Sequence, residues 1–317
     1  MTGIATIIRK ELADSFSNRA FILCLLIFNL SMVIAGSNAG TSYITRVILY
    51  RDNWPGAPDA SAYWFNEITP NMVYHVTTLG ALVAVVLSFN SINRERSEGS
   101  LKVLLSYPVY RDQVILGKLA AGLINITLVA LTSIAIAVSV FLLVINVNLT
   151  LGHIVRFALF TLLTILYLSF YLGLGMTLSI AFKDLSKTLM VIALAMGFLN
   201  SDVFYSMGRA AAVLLYGAEL KYAFVDGINF AVSANPRADL LQALIMELSP
   251  THSYRTISIQ ITKFVTLAGD YRTEIISIPV FMENVLQNHF NCMGVLVVAL
   301  IATFVASYIL FTRSDVA

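Results

Sequence analysis

Apolar residues run along this chain in six long stretches, at about 21–40, 71–89, 116–145, 154–182, 188–207 and 291–311, with polar segments between them. Each holds the roughly 20 residues that cross a hydrocarbon core at about 1.5 Å per residue. The third and fourth are longer, so tilt or extension beyond the core is expected. The pattern predicts an all-α integral membrane protein with six transmembrane helices, in a single membrane domain covering residues 1–317.

The segments outside these stretches have patterns of their own. Ile4, Ile7, Ile8 and Leu12 fall at helical spacing, with Phe16 one turn on and Arg9, Lys10 and Asp14 off the stripe. This predicts a short amphipathic helix over 1–19, lying in the membrane interface. Residues 42–70 hold Trp54, Pro55, Pro58 and Trp64, which suits a compact cap with aromatics at headgroup level. Residues 207–288 form a second sizeable outer region. Within it Asn235-Pro236 reads as a cap followed by a first-turn proline. Leu240, Leu241, Leu244, Ile245 and Leu248 then make an apolar face for an interfacial helix or for packing on the outer ends of the spans. Ile257, Ile259 and Ile261 alternate with Ser258 and Gln260, a strand-like period, and 272–278 is placed to pair with them across Gly269-Asp270.

Composition agrees with the membrane reading. The chain is 58% hydrophobic and 12% charged, about half the charge of a soluble domain. Its net charge of +2 is too small to argue for nucleic acid. Orientation follows from the basic residues. The N-terminus, 90–118, the 183–187 turn and the tail carry eleven Lys/Arg in about 60 residues; the opposite segments carry nine in about 130. The denser side is expected in the cytoplasm, with both termini there and the chain in the plasma membrane. Ser37-Asn38-Ala39 resembles a small-residue cleavage site. The long preamble with Glu11 and Asp14 instead predicts an uncleaved anchor. Cys24 and Cys292 are expected near opposite membrane faces, too far apart for a disulfide.

Several chemistries lack their residues. The four histidines, His75, His153, His252 and His289, form no HExxH, and no cluster has metal-ligand spacing. There is no GxSxG elbow. Gly117-Lys118 resembles the end of a phosphate loop, but Asp112 stands where that motif needs glycine and Leu119 where it needs Ser or Thr. The expectation is a chain that is not itself an enzyme, binding no metal and no cofactor. Ion coupling calls for ionisable residues within the spans, and the six stretches are nearly free of them. Asp202 is the candidate outer polar site, near the outer end of the fifth stretch. The bland reading makes it an interfacial acid beside Asn200 and Ser201.

The loop at 90–118 is richly dressed. Leu101, Leu104 and Leu105 have helical spacing, Ser100 is placed to cap, and Pro108 disfavours helix at Tyr107. A helix of about two turns, a break and a second helix from about Tyr110 into the third span are expected. Such a short amphipathic helix either docks in a partner's groove or packs on the inner ends of its own spans.

Arg94-Glu95-Arg96-Ser97-Glu98-Gly99-Ser100, then Leu104-Leu105-Ser106-Tyr107-Pro108, then Gly117-Lys118, resembles the permease signature of ABC-2-type transporters. The likeness extends in order along the chain. Arg9-Lys10-Glu11-Leu12 is similar to the family's interfacial elbow, Ser249-Pro250 with Tyr254 to a serine-proline element ahead of the last span, and 311–316 to its short ending. Ser100 replaces the commoner threonine, and Tyr110 a small capping residue. Length, span number and the large region before the last span resemble the branch of multicopper-enzyme and nitrous-oxide-reductase maturation permeases.

The resemblance implies a second permease copy, as homodimer or heterodimer, and two ABC ATPase subunits binding ATP and Mg on the cytoplasmic side. It also implies a coupling helix at 90–118. Glu98, Gly99, Leu101, Leu104 and Leu105 would carry the docking contact, Arg94 and Arg96 its rim, and Pro108 the break after it. The expected function is the transmembrane subunit of an ATP-driven exporter. The alternative is a module whose ATP-driven motion acts on an outer-side partner protein. An ion-coupled carrier and a membrane enzyme rank below both.

Overall fold

The computed structural model describes residues 3–53, 64–97, 111–146, 149, 151–182, 184–199, 201–217, 220–225, 228–233, 235–262, 264–266, 273–275 and 289–313. The described chain is a helical bundle. In order it comprises α1 (Gly3–Ser17), α2 (Arg19–Asn53), α3 (Trp64–His75), a π-helical turn (Val76–Gly80), α4 (Ala81–Ser97), α5 (Arg111–Ile145), α6 (Leu151–Ala181), α7 (Leu185–Phe198) and α8 (Ser201–Tyr216). Then come β1 (Leu220–Val225), β2 (Ile228–Ser233), α9 (Pro236–Glu247), α10 (Pro250–Thr262), β3 (Phe264–Thr266), β4 (Thr273–Ile275) and α11 (Phe290–Arg313). The strands form two separate antiparallel hairpins, β1–β2 and β3–β4.

Five helical stretches are long and apolar enough to cross a membrane: Arg19–Ile48, Glu67–Phe89, Arg111–Ile145, Leu151–Ala181 and Phe290–Arg313. Among the described residues a sixth exists only as the pair α7 and α8, bent by 54°. The expected fifth span is therefore bent by 54° rather than one straight helix. It also continues past Met207 to Tyr216. Residues 42–53, expected in an outer cap, extend α2 instead, and Pro70 lies inside α3. Trp54, Pro55 and Pro58 fall outside the described residues.

The second span is irregular for a visible reason. Pro70 has no N–H to give to the carbonyl four residues back. One turn on, the hydrogen bonding widens to the π pattern, ending where the Ala81 N–H meets the Val76 carbonyl. Thr77 and Thr78 both turn their hydroxyls onto the Tyr74 carbonyl, at 3.1 and 2.8 Å. Such local satisfaction is what keeps an imperfect helix tolerable in lipid.

α6 is the central helix. Of its most apolar window 67% is buried inside the chain, against 17% for α11. Small residues let its neighbours approach. A Cβ on Gly175 would collide with Ser88 and the Val85 backbone of α4, and one on Gly173 would meet Phe304 of α11 at 2.7 Å. Gly173-x-Gly175 thus seats one helix on each side of α6, as close packing in membranes favours. Across that seam Thr177 Oγ1 and Ser307 Oγ lie 2.7 Å apart. α2 packs on α5 in the same way, with Gly36 against the Ala137 carbonyl.

The stretch with alternating isoleucines is not a strand. Residues 250–262 form α10, with Ile257 and Ile261 buried one turn apart and Ile259 on the uncovered side. Over five residues a period of two and an i, i+4 pair coincide. The β3–β4 hairpin pairs Phe264 with Ile275 around the expected Gly269-Asp270 region, which lies outside the described residues.

Candidate functional site

Two arrangements draw on the residues singled out above. The first is the junction of α1 with α5. The Ile7 side chain is buried against Gly117, where a Cβ would come within 2.7 Å of it. Ile4, Ile8 and Leu12 are half-buried on the same side of α1. Next to Gly117, Lys118 is only 2% exposed, and its Nζ donates at 2.8 Å to Oε1 of Glu11, one turn along α1 from Ile7. Asn125 Nδ2 donates to Ser15 Oγ at 2.9 Å, and Ser15 passes its own proton to the Glu11 carbonyl. Apolar contact, ion pair and side-chain hydrogen bond thus clamp α1 along the first four turns of α5. Lys118 reads in sequence as an orienting surface charge; it is a buried structural one.

The loop that α5 leaves lies largely outside the described residues. Arg94 and Arg96 fall in the last turns of α4, whose backbone alone is described there. Glu98, Gly99, Leu101, Leu104, Leu105 and Pro108 lie outside the described residues.

The second arrangement surrounds the broken span. α9 starts as its residues require: Asn235 Oδ1 accepts the Arg237 N–H at 3.0 Å, and Pro236 occupies the first turn. It runs antiparallel to α8, with Gly208 on the Gln242 backbone and Ser249 beside Leu199. α10 then climbs back along α6. Its Thr251 meets the hydroxyls of Tyr167 and Tyr171 at 3.3 and 3.0 Å, Tyr254 that of Thr164 at 2.8 Å, and Ile261 the guanidinium of Arg156 at 2.7 Å. Tyr171 is ten residues from the Ala181 end of α6, about 15 Å along the axis. The α9–α10 hairpin therefore packs along α6 to a point about 15 Å short of its Ala181 end.

Among the described residues, two serines cover backbone groups at this turn. The Ser249 hydroxyl donates to the Leu199 carbonyl at 3.0 Å and accepts the His252 N–H at 3.2 Å, capping α10 ahead of Pro250. Ser253 covers the Glu247 carbonyl at 2.9 Å. At the other end, buried Arg156 places a cation on the last turn of α10, where the helix dipole favours one. Tyr254, fully buried, stacks on Tyr167 with centroids 4.4 Å apart. Asn291 Nδ2 reaches Glu247 Oε2 at 3.1 Å and ties α11 to the turn.

Asp202 stands in the first turn of α8, directly after the break. From Asp202, α8 runs another 14 residues to Tyr216, about 21 Å. Sequence reasoning also missed Arg156, Arg255 and Glu247, because 207–288 read as an outer region, with a strand at 257–261 where α10 meets Arg156. The signal was Ser249-Pro250, a cap and first-turn proline. At the α6–α7 turn, Lys187 Nζ sits 2.7 Å from Asp184 Oδ2, and this hydrogen bond holds the Asp184 carboxyl below its ordinary range. Among the described residues no group of three His, Cys, Asp or Glu is placed to hold a metal ion.

A family model described as ABC-2 family transporter protein matches residues 5–316. The chain belongs to the ABC-2 transporter family. With its candidate spans, this ABC-2 family member is a multi-pass membrane protein. Its relatives include a probable ABC transporter permease protein NosY of Pseudomonas aeruginosa, 33% identical over 165 residues, covering 50% of this chain and 53% of that protein. A probable ABC transporter permease protein NosY of Stutzerimonas stutzeri is 29% identical over 121 residues, covering 37% of this chain and 38% of that one. The chain thus spans about half the length, or less, of the curated relatives it matches. Both names agree with the branch that the sequence resembles.

Proposed function

We propose that the chain is the permease subunit of an ATP-driven exporter, moved by a separate ATPase that docks on the loop between α4 and α5. The observation that carries this reading is the clamp of α1 onto α5. α5 is one unbroken helix of 35 residues that begins right after the loop. A push on Leu101, Leu104 and Leu105 would therefore move α5 and α1 as one body, and α2 packs along that body. Rigid-body shifts of this kind are a common way to convert ligand binding into motion.

On this reading two ATPase copies bind ATP with magnesium, and this chain binds neither. A second permease copy, identical or not, completes the translocation path. The Lys/Arg-dense end of the bundle faces the cytoplasm, with both termini, and the protein sits in the plasma membrane. The broken span and the re-entrant hairpin support transport, since discontinuous helices at mid-membrane are where transporters place their substrate contacts.

A second reading has one observation in its favour. Ser249 connects the break in the fifth span to the segment between spans five and six, and the Asn291–Glu247 bond connects that segment to span six. Motion of the bundle would reach that segment and any outer-side protein bound to it. ATP-dependent uptake of labelled lipids and amphiphiles into inside-out vesicles separates the two. Uptake that needs ATP supports the exporter. ATPase turnover that responds to an outer-side protein, without uptake of any cargo, supports the mechanical module.

A further inference from the structure

Along α5 a polar residue returns every seven positions, at Lys118, Asn125, Thr132 and Ser139. A step of seven comes back to the same side of a helix, so the four form one stripe. α1 covers the first half of it. Lys118 donates to Glu11 at 2.8 Å and Asn125 to Ser15 at 2.9 Å. α1 then ends at Ser17. Thr132 and Ser139, the next two steps of the stripe, are exposed, as is Ala135 between them.

Asn29 of α2 stands beside this open half. Ser133, buried next to Thr132, donates its hydroxyl to Asn29 Oδ1 at 2.6 Å. That bond uses one of the two lone pairs on the oxygen and neither of the amide's N–H groups. Asn29 is half-exposed, and among the described residues its Nδ2 has no hydrogen-bond partner. The Ser139 hydroxyl has none among them either. Thr132 donates back to the Leu128 carbonyl at 2.9 Å and keeps lone pairs to accept with.

These groups lie well inside two candidate spans. Asn29 is ten residues from the Arg19 end of Arg19–Ile48, about 15 Å, and Thr132 is thirteen from the Ile145 end of α5, about 20 Å. Acyl chains offer nothing to an amide N–H, so leaving it among them is costly. A neighbouring helix does: polar side chains bond across helix pairs in membranes, and small residues let the backbones approach. Ala135 and Ser139 leave that room. A second copy of this chain does not fit the strip. α1 stands on the same face and, across a two-fold axis along the membrane normal, would meet its own twin. Two helices of about 10 Å diameter would then separate the α5 helices, whereas packed helices lie about 8–10 Å apart.

We propose that Asn29, Thr132 and Ser139 form a docking strip for a transmembrane helix of a partner protein, one that presents an amide or hydroxyl side chain at the depth of Asn29. That helix continues the cover that α1 begins on α5, and it supplies the acceptor that the Asn29 amide lacks. The inference goes beyond the permease reading and involves no ATPase.

The test uses the full chain, labelled at its N-terminus with a fluorescent donor, in phosphatidylcholine vesicles. The probes are two lysine-flanked polyleucine transmembrane peptides carrying an acceptor dye, one with a central glutamine and one without. Energy transfer is followed as the peptide-to-lipid ratio rises. Wild type is expected to bind the glutamine peptide at least fivefold more tightly than the all-leucine peptide. Asn29→Leu and Ser139→Phe should each bring it down to the all-leucine level. Thr78→Val, at an exposed position of the second span, should leave it unchanged. Equal binding of the two peptides by wild type overturns the proposal, as does undiminished binding by Ser139→Phe. If Asn29→Leu does not fold, Ser139→Phe, a change at an exposed position, still decides. A further sample mixes donor- and acceptor-labelled permease. Transfer between copies that falls on Ser139→Phe would give the strip to a second copy and overturn the partner helix.

Discussion

The hydroxyl of Ser249 donates to the carbonyl of Leu199, and so fastens the turn of the re-entrant hairpin to the break in the fifth span. Ser249→Ala removes this bond and the cap on α10 together. A buried carbonyl left without a donor costs about 1–3 kcal/mol, and a lost N-cap about 1 kcal/mol. Thermal unfolding of the purified chain should show a marked loss of stability. Ser249→Thr, which keeps the hydroxyl, should fall close to wild type.

The Lys118–Glu11 pair makes a prediction of opposite sign for single and double changes. Glu11→Gln removes the ion-pair partner of the buried Lys118 and costs about 3–5 kcal/mol, while Lys118→Met leaves Glu11 with Lys10 at 3.6 Å and costs less. Lys118→Met and Glu11→Gln should each loosen α1 from α5, as amide exchange along α1 reports. The double variant should regain much of the loss. Additive losses would show that the pair is screened by solvent.

Tyr254 tests how α10 is held. Tyr254→Phe keeps the stack on Tyr167 and loses the bond to Thr164, so about 1 kcal/mol is expected. Tyr254→Ala also empties a fully buried ring site and should cost about 3–5 kcal/mol. Denaturant or thermal unfolding of the two variants measures the difference.

Gly175 sets how closely α4 and α6 pack. Gly175→Val would force a side chain into Ser88 and the Val85 backbone, and backbone yields little. Overpacking of this kind costs about 1–3 kcal/mol or more. Gly197→Ala, with open space at its Cβ, should be tolerated in the same expression and size-exclusion assay.

Much of the bundle was legible because a membrane helix announces itself by length and apolar content alone. Where continuity broke, the same rule misled. Met207 looked like the end of the fifth span, because nothing local says that α8 continues to Tyr216 after a 54° bend. Residues 250–262 showed two periods at once, and only packing against Tyr167 and Tyr171 selects the helix. Charge was misleading for a related reason. Lys118 and Arg255 look alike in sequence, yet one is buried on Glu11 and the other reaches the middle of a span. Their partners are 107 and 178 residues away, beyond the reach of any local pattern.

The central claim is that a partner ATPase drives this chain through the loop after α4. The most direct measurement is co-purification of the ATPase with a Leu104→Glu permease. A charge in the leucine face should abolish the complex while the chain still inserts and keeps its unfolding temperature. An ATPase that co-purifies with Leu104→Glu as well as with wild type would contradict the account.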